Sequence, residues 1–212
     1  MIEGRSVIAV IPARGGSKGV TKKNIAPCAG KPLLTWTIAA AKASKYVDEI
    51  LVTSDDDDIL ALAKSEHTVT TVKRPAELAT DEAEMPPVIM HALEYYRYPL
   101  AVLLQPTSPL RTGADIDGAL ELLTSSGATT VTSVYESHAV VFDGTDPKRR
   151  QDRKPTLFLS GAVYCFDVAR FRETQTLIDS ATLPYVMPPE RSVDIDAPLD
   201  MAIAQTIIAS TR

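Results

Sequence analysis

The feature that most constrains the fold is a regular alternation of short apolar runs with segments of helical periodicity. The runs "VIAVIP", "EILVTS", "TVTTV" and "LAVLLQP" are bounded by turn residues, as buried parallel strands are. Between them lie "PLLTWTIAAAKAS" (32–44), "DDDDILALAKSE" (55–66) and a segment around 88–96, which have helical character. This alternation predicts βαβ units and a parallel sheet covered on both faces.

The second half of the chain continues the same pattern. It carries a helix at 113–126, strands at 128–135 and 157–167, and a closing helix at 197–210. We therefore predict an α/β protein with a Rossmann-like three-layer α/β/α fold and a mostly parallel sheet, forming one domain over residues 1–212. The polar stretch 137–156 is the one compositional break and indicates a short excursion. Ligands of such sheets bind beyond the carboxyl ends of the strands.

A glycine-rich cationic loop follows the first strand. The stretch "ARGGSKGVTKKN" contains Gly15, Gly16 and Gly19 with the cations Arg14, Lys18, Lys22 and Lys23. Glycines adopt positive φ and let backbone N–H groups approach an anion, while arginine and lysine pair with phosphate oxygens. The spacing matches neither a Walker A loop nor G-x-G-x-x-G. We favour polyphosphate binding over a solvated basic turn.

Acidic residues near the end of the chain could complement this loop. In "DIDAPLD", Asp194 and Asp196 lie two residues apart, so an extended chain points both side chains to one face. Such a pair suits Mg²⁺ shared with nucleotide phosphates. Equally, Asp196 could cap the closing helix. Asp200 is one turn further on and is expected to be structural.

Bulk properties narrow the classes of partner. A net charge of −5 argues against a general nucleic-acid binder. No run of about 18 apolar residues occurs, so neither a membrane span nor a membrane partner is expected, and no signal peptide is recognisable. Cys28 and Cys165 are far apart and fit a reducing, cytoplasmic compartment. The three histidines are scattered and form no hydrolase triad with a serine.

Five motifs in series resemble the CMP-sialic acid synthetases, also called acylneuraminate cytidylyltransferases. They are "IPARGGSKGVTKKN", "RPAELATD", "LLQPTSPLRT", "SGAVY" and "SVDIDAPLD", and together they span most of the chain. The resemblance implies a nucleotide-diphospho-sugar transferase-like fold. It also implies transfer of CMP from CTP to the 2-hydroxyl of a nonulosonic, sialic-acid-like keto acid, with release of pyrophosphate.

The resemblance also assigns roles to individual residues. It implies that the nucleotide is bound by Ala13, Arg14, Gly15, Gly16, Lys18, Lys23, Asn24 and Arg74. Catalysis by charge neutralisation would fall to Arg14, Lys18, Lys23 and Asp196, with Mg²⁺ (or Mn²⁺) held by Asp194 and Asp196. The acceptor sugar would lie near Gln105, Arg150 and Tyr164. The alternatives are a strand-end cap for Gln105, a solvated charge run for Arg150 and a core position for Tyr164.

The chain departs from the family pattern around the excursion. The segment is short, it reads "SHAVV" where the family often has His-His-Pro and a following lysine, and Ser160 replaces an asparagine. The family excursion reaches across a dimer, so we expect a homodimer, in which Arg150 could come from the partner. The acceptor stays open, with a CMP-KDO-type cytidylyltransferase or a nucleotide-binding pseudoenzyme as alternatives.

Overall fold

The computed structural model describes residues 1–16, 19–139, 149 and 154–210. The strands are β1 Val7–Pro12, β2 Pro27–Cys28, β3 Lys31–Pro32, β4 Val47–Ser54, β5 Val69–Lys73, β6 Leu100–Leu103, β7 Thr130–Ser137, β8 Thr156–Asp167 and β9 Leu183–Val186. The helices are α1 Leu33–Ala43, α2 Asp57–Ser65, α3 Met85–Ala92, α4 Gly113–Ser126, α5 Val168–Thr174 and α6 Pro198–Ser210. None of these helices is both long enough and apolar enough to span a membrane.

Seven strands form one sheet in the order β5-β4-β1-β6-β8-β7-β9, and β2 pairs with β3 in a separate small hairpin. Within the large sheet, β5, β4, β1 and β6 are parallel, and β9 is parallel to β7. Among the described strands of this sheet, only β8 runs antiparallel to its neighbours. The predicted α/β fold with a mostly parallel sheet is confirmed.

Helices cover both faces of the sheet, which gives the three predicted layers. Alternate β1 residues point to opposite faces, so Val7, Ala9 and Ile11 pack in one apolar cluster with α1, α2 and α4. Ile8 and Val10 pack in the other cluster with α3 and α5. A third cluster holds α6 against α1 and the β2–β3 hairpin.

Local capping explains several of the helix ends. The Asp56 carboxylate accepts the first free N–H groups of α2. Thr112 and Asp115 form a capping box at the start of α4, and Gly127 ends that helix with φ 69°. Helix α3 begins before the predicted segment because its two prolines fit the first turn, where no N–H donor is needed.

The strand order creates a crevice at the carboxyl end of β1. After β1 the chain adds β4 and β5 on one side and then crosses to β6 on the other. The loops that leave the parallel strands β1 and β6 both start at this edge of the sheet, and the carboxyl ends of the strands are the usual ligand position in an open α/β sheet. The glycine-rich loop is the segment that leaves β1 here.

Candidate active site

The glycine-rich loop is held against the end of β4. The buried Ala13 donates its N–H to the Thr53 carbonyl (3.0 Å), and Gly15 N–H donates to Asp55 Oδ1 (3.0 Å). The buried Asn24 closes the loop by donating its side-chain amide to the Arg14 carbonyl (2.8 Å). Ala13 and Asn24 therefore shape the loop, and the Gly15 N–H already has an acceptor within the protein.

Close packing accounts for two of the loop glycines. Gly15 and Gly16 are absent from the residues with positive φ, so for these two residues that part of the expectation was wrong. A Cβ on Gly15 would lie 2.8 Å from Asp56, and one on Gly19 would lie 1.9 Å from the Asp196 carbonyl oxygen. Only glycine lets the loop pack this closely on Asp56 and on Asp196. Gly16 is exposed, with open space around it.

The described cations of the loop diverge in their contacts. Arg14 reaches the Thr80 carbonyl (3.0 Å) and Asp81 (2.8 Å) on the loop after β5. Lys23 donates to the Ile195 carbonyl (2.7 Å) and pairs with Asp196 (3.2 Å). Lys22, by contrast, has φ 47° and pairs with Asp58. Lys18 lies outside the described residues.

Arg74 follows β5 and lies next to the end of β4. It is buried, and its guanidinium donates to the carbonyls of Leu78 (3.3 Å) and Thr53 (3.4 Å). Burial lowers its pKa, with the charge of Arg14 adding to the effect and that of Asp55 opposing it. These contacts connect the end of β4 to the loop that carries the Arg14 acceptors.

The acidic segment is fixed by contacts on both sides. Arg191 forms a two-point ion pair with the buried Asp115 of α4, with distances of 3.0 and 2.8 Å. Ile195 N–H donates to the Thr107 carbonyl (2.8 Å). Asp200 accepts the N–H groups of Asp196 and Ala197, so Asp200, and not Asp196, serves the start of α6. The structural role expected for Asp200 is thus visible.

Both halves of the predicted site line one cavity of about 530 Å³. Its cationic and acidic lining includes Arg14, Lys23, Asp194 and Asp196. The predicted residues Asn24, Arg74 and Gln105 also line this cavity, together with Asp81 and Thr107. An apolar wall is formed by Leu78, Ala83, Met85 and Val88. Arg14 and Lys23 of the loop therefore meet the late acids in a single cavity.

Asp194 and Asp196 fit a magnesium ion that arrives with phosphates. Asp194 keeps solvent contact, yet desolvation by nearby protein raises its pKa; a hydrogen bond with Thr107 opposes this and the Asp196 charge adds to it. No group of three or more potential ligands among His, Cys, Asp and Glu occurs within the described part of the chain. Mg²⁺ needs only one or two carboxylates when phosphates and water supply the other oxygens.

Among the described residues predicted to face the acceptor, Gln105 lines the cavity and Tyr164 does not. Gln105 lines the cavity, and its carbonyl accepts a hydrogen bond from Arg111 (2.5 Å). Arg111 also contacts Thr37 (2.6 Å) and the Ala162 carbonyl, and complete burial lowers its pKa to about 9. Tyr164 is not among the lining residues and packs in the apolar cluster of α3 and α5. Arg150 lies outside the described residues.

Some residues of the site gave no local signal. Asp115 and Arg191 are 76 positions apart, and neither belongs to a recognisable ligand motif. Asp81 was only the last letter of the "RPAELATD" motif, and its contact with Arg14 needed the packed loop. For Gly161, which lies beneath Gln105, the "SGAVY" motif marked the segment but not the contact.

Comparison with known proteins places this chain in a family. A sequence model of the family described as Cytidylyltransferase matches residues 8–187, and the chain belongs to this family. An N-acylneuraminate cytidylyltransferase of Escherichia coli is 35% identical over 217 residues, which cover 95% of this chain and 52% of that protein. A CMP-N,N'-diacetyllegionaminic acid synthase of Legionella pneumophila is 30% identical over 222 residues, covering 95% and 96%.

A solved structure supports the fold. A CMP-2-keto-3-deoxy-manno-octonic acid synthetase in complex with CTP superposes with a TM-score of 0.78 at 15% identity, covering 98% of this chain and all of that one. This likeness shows the shared architecture. The chain spans about half the length of the Escherichia coli relative and almost all of the Legionella relative.

Proposed function

We propose that this protein transfers CMP from CTP to the 2-hydroxyl of a nonulosonic, sialic-acid-like keto acid and releases pyrophosphate. The observation that carries the proposal is the convergence of Arg14, Lys23, Asp194 and Asp196 on one cavity. Membership of the cytidylyltransferase family and the names of two relatives, an N-acylneuraminate cytidylyltransferase and a CMP-legionaminic acid synthase, support the same activity.

The cations would bind and orient the triphosphate. Arg14 and Lys23 each contact a carbonyl and a carboxylate oxygen, which are the kind of acceptor that phosphate offers. Together with Lys18 and the loop backbone at Gly16, they would neutralise the charge of the leaving pyrophosphate. Such phosphoryl chemistry depends mainly on positioning and charge neutralisation.

The remaining predicted residues divide between metal, nucleotide and acceptor. Asp194 and Asp196 would hold Mg²⁺ (or Mn²⁺), which when bound supplies charge that polarises a phosphate oxygen. Arg74 would support the nucleotide wall. Gln105 would orient the acceptor, because its side chain lies at the end of β6 beside Asp194. Arg150 and Tyr164 stay predictions for the acceptor end.

The test is pyrophosphate release from CTP and Mg²⁺ with a panel of keto acids. We expect turnover with at least one nine-carbon acid among N-acetylneuraminate, legionaminate and pseudaminate, and loss of turnover with EDTA. UTP in place of CTP serves as the matched nucleotide control. Turnover with KDO alone would indicate a CMP-KDO-type enzyme, and CTP binding without turnover on any acid would indicate a pseudoenzyme.

We also propose that the protein is a cytoplasmic homodimer with one catalytic domain over residues 1–212 and a short arm at 137–156. Exposed apolar side chains on β8 and β9 support a self-interface: Leu159 and Val186 are exposed on either side of the buried Val134, which pairs with both, and Leu157 is exposed two residues before Leu159. Light scattering should give a dimer mass for the wild type and a monomer for Leu159→Glu.

The buried free thiols Cys28 and Cys165 support a reducing compartment.

A further inference from the structure

A bulge in β8 lies next to Gln105 and Asp194, two polar residues that line the cavity. Residues 160–163 of β8 face the single residue Ser133 of β7, and the strands pair in register on both sides. The Ser133 hydroxyl spans the gap, because its oxygen accepts the Val163 N–H (2.8 Å) and a hydrogen bond from the Ser160 hydroxyl (2.6 Å). Arg111 holds the Ala162 carbonyl from the other side. The bulge is therefore a built feature of the sheet.

Position 161 in the bulge requires glycine for two separate reasons. Its φ of 70° is left-handed, which disfavours any residue with a Cβ. A Cβ there would also lie 2.9 Å from Gln105 Oε1, inside contact distance, but 3.7 Å from Asp194 Oδ2, an ordinary contact. The missing side chain thus leaves room for the Gln105 amide in particular, while Asp194 would tolerate a methyl group.

We propose that Gly161 is a positioning residue for the acceptor, acting through Gln105. The inference rests on the proposed function, since it requires that Gln105 orients the acceptor. The Gln105 backbone is held by Arg111, so its side chain is the part that can move. A methyl group at position 161 displaces this amide from the place where the acceptor meets it. The nucleotide contacts at Arg14 and Lys23 are made by other loops and keep their geometry.

The experiment compares Michaelis constants for the acceptor and for CTP. We expect Gly161→Ala to raise the acceptor KM about tenfold while the CTP KM stays within about twofold, because misplacing one orienting group weakens only the contacts that it makes. Gly127→Ala is the matched control, since Gly127 has φ 69° and nothing within 4 Å of its Cβ position. It carries the same backbone strain without the crowding, and both KM values should stay within about twofold of wild type.

A double-mutant cycle tests the route through Gln105. Once Gln105→Ala has removed the amide, adding Gly161→Ala should change the acceptor KM by less than about twofold further, because the two residues act as one unit. Additive effects, or an equal rise in the CTP KM, would overturn the inference. If Gly161→Ala does not fold, Ser133→Ala loosens the bulge instead and should raise the acceptor KM about threefold; an unchanged acceptor KM would then overturn it.

The outcomes separate this inference from the proposed function. Wild-type turnover combined with a Gly161→Ala acceptor KM equal to that of Gly127→Ala would overturn the inference alone. A wild type without turnover on any keto acid would overturn both.

Discussion

Two acidic clusters flank the same glycine-rich loop, and their chemistry differs. The first comprises residues 55–58 after β4, and the second comprises Asp194, Asp196 and Asp200 before and within α6. Every acid of the first cluster has a structural partner: Gly15 N–H for Asp55, the N–H groups of Asp58 and Ile59 for Asp56, Lys73 for Asp57 and Lys22 for Asp58. This cluster anchors the loop and starts a helix.

The second cluster divides its roles. Asp200 serves the start of α6, and this leaves the Asp196 carboxylate to face Lys23 and Asp194 to face the cavity. Because the Thr107 carbonyl and Asp115 hold this segment from both sides, its acids are presented to the chamber. The comparison shows that the number of clustered acids does not distinguish a helix cap from a candidate metal ligand. The position in which the fold holds each acid does.

The strongest test of this difference substitutes one acid from each cluster. Asp196 and Asp57 have similar side-chain exposures, 81% and 88%, and each pairs with a lysine. We expect Asp196→Ala to lower kcat for pyrophosphate release by at least about a hundredfold, and Asp57→Ala to stay within about twofold. Circular dichroism should show both variants folded. Equal activities would remove the functional distinction between the clusters.

The next effect concerns the support of the second cluster. Asp115→Asn breaks the pair with Arg191 and should lower the free energy of unfolding by about 2 kcal/mol, less than for a fully buried pair because Arg191 keeps solvent contact. Burial raises the Asp115 pKa, but hydrogen bonds from Arg191 and Thr112 outweigh it and hold the pKa below its ordinary 3.8. The pair's contribution is therefore complete above pH 3.8 and is lost as the pH falls towards the lowered value.

Urea unfolding between pH 3 and 7 measures this contribution. The stability of the wild type should decline on the acid side, and that of Asp115→Asn should decline less steeply there. An acid limb of unchanged slope in the variant would contradict the assignment of Asp115 as an ionised partner of Arg191.

A smaller effect is expected from the cap in the first cluster. Asp56→Ala removes the acceptor for two N–H groups of α2 and should lower the free energy of unfolding by about 1 kcal/mol. Thermal or urea unfolding measures the loss, and kcat should change by less than about threefold. A hundredfold loss of kcat at unchanged stability would instead place the first cluster in the active site.

The smallest expected effect compares two neighbouring lysines. Lys23 pairs with Asp196 and Lys22 with Asp58, so Lys23→Gln and Lys22→Gln change the net charge equally. Removing the cation beside Asp196 should tighten Mn²⁺ binding to the nucleotide-free protein about threefold, because the lysine and the metal compete for one carboxylate. Electron paramagnetic resonance of free Mn²⁺ measures it. Equal affinities in the two variants would contradict metal binding at Asp196.

Local sequence signals explain which elements could be predicted. The bounds of β1 and α4 match the prediction, because each element is specified by residues that are close together in the sequence. Strand β1 is a buried apolar run, and α4 has a capping box at its start and a glycine at its end. Strand β9 was not predicted, since "LPYV" is short and forms a strand only by pairing with β7. The short helix α5 was not predicted either. The β8 bulge likewise depends on Ser133 and Arg111, which are distant in sequence.

The amino-acid sequence alone determined the α/β alternation, the position of the anion loop after β1 and the chemistry of the residues that compose both halves of the site. The tertiary structure alone decided which charges face the cavity. Lys22 and Lys23 are adjacent and chemically alike, yet they pair with Asp58 and with Asp196, which lies 173 residues away from Lys23. The physical reason is that charge pairing over such separations is set by the packing of loops against one another, and no local propensity encodes it.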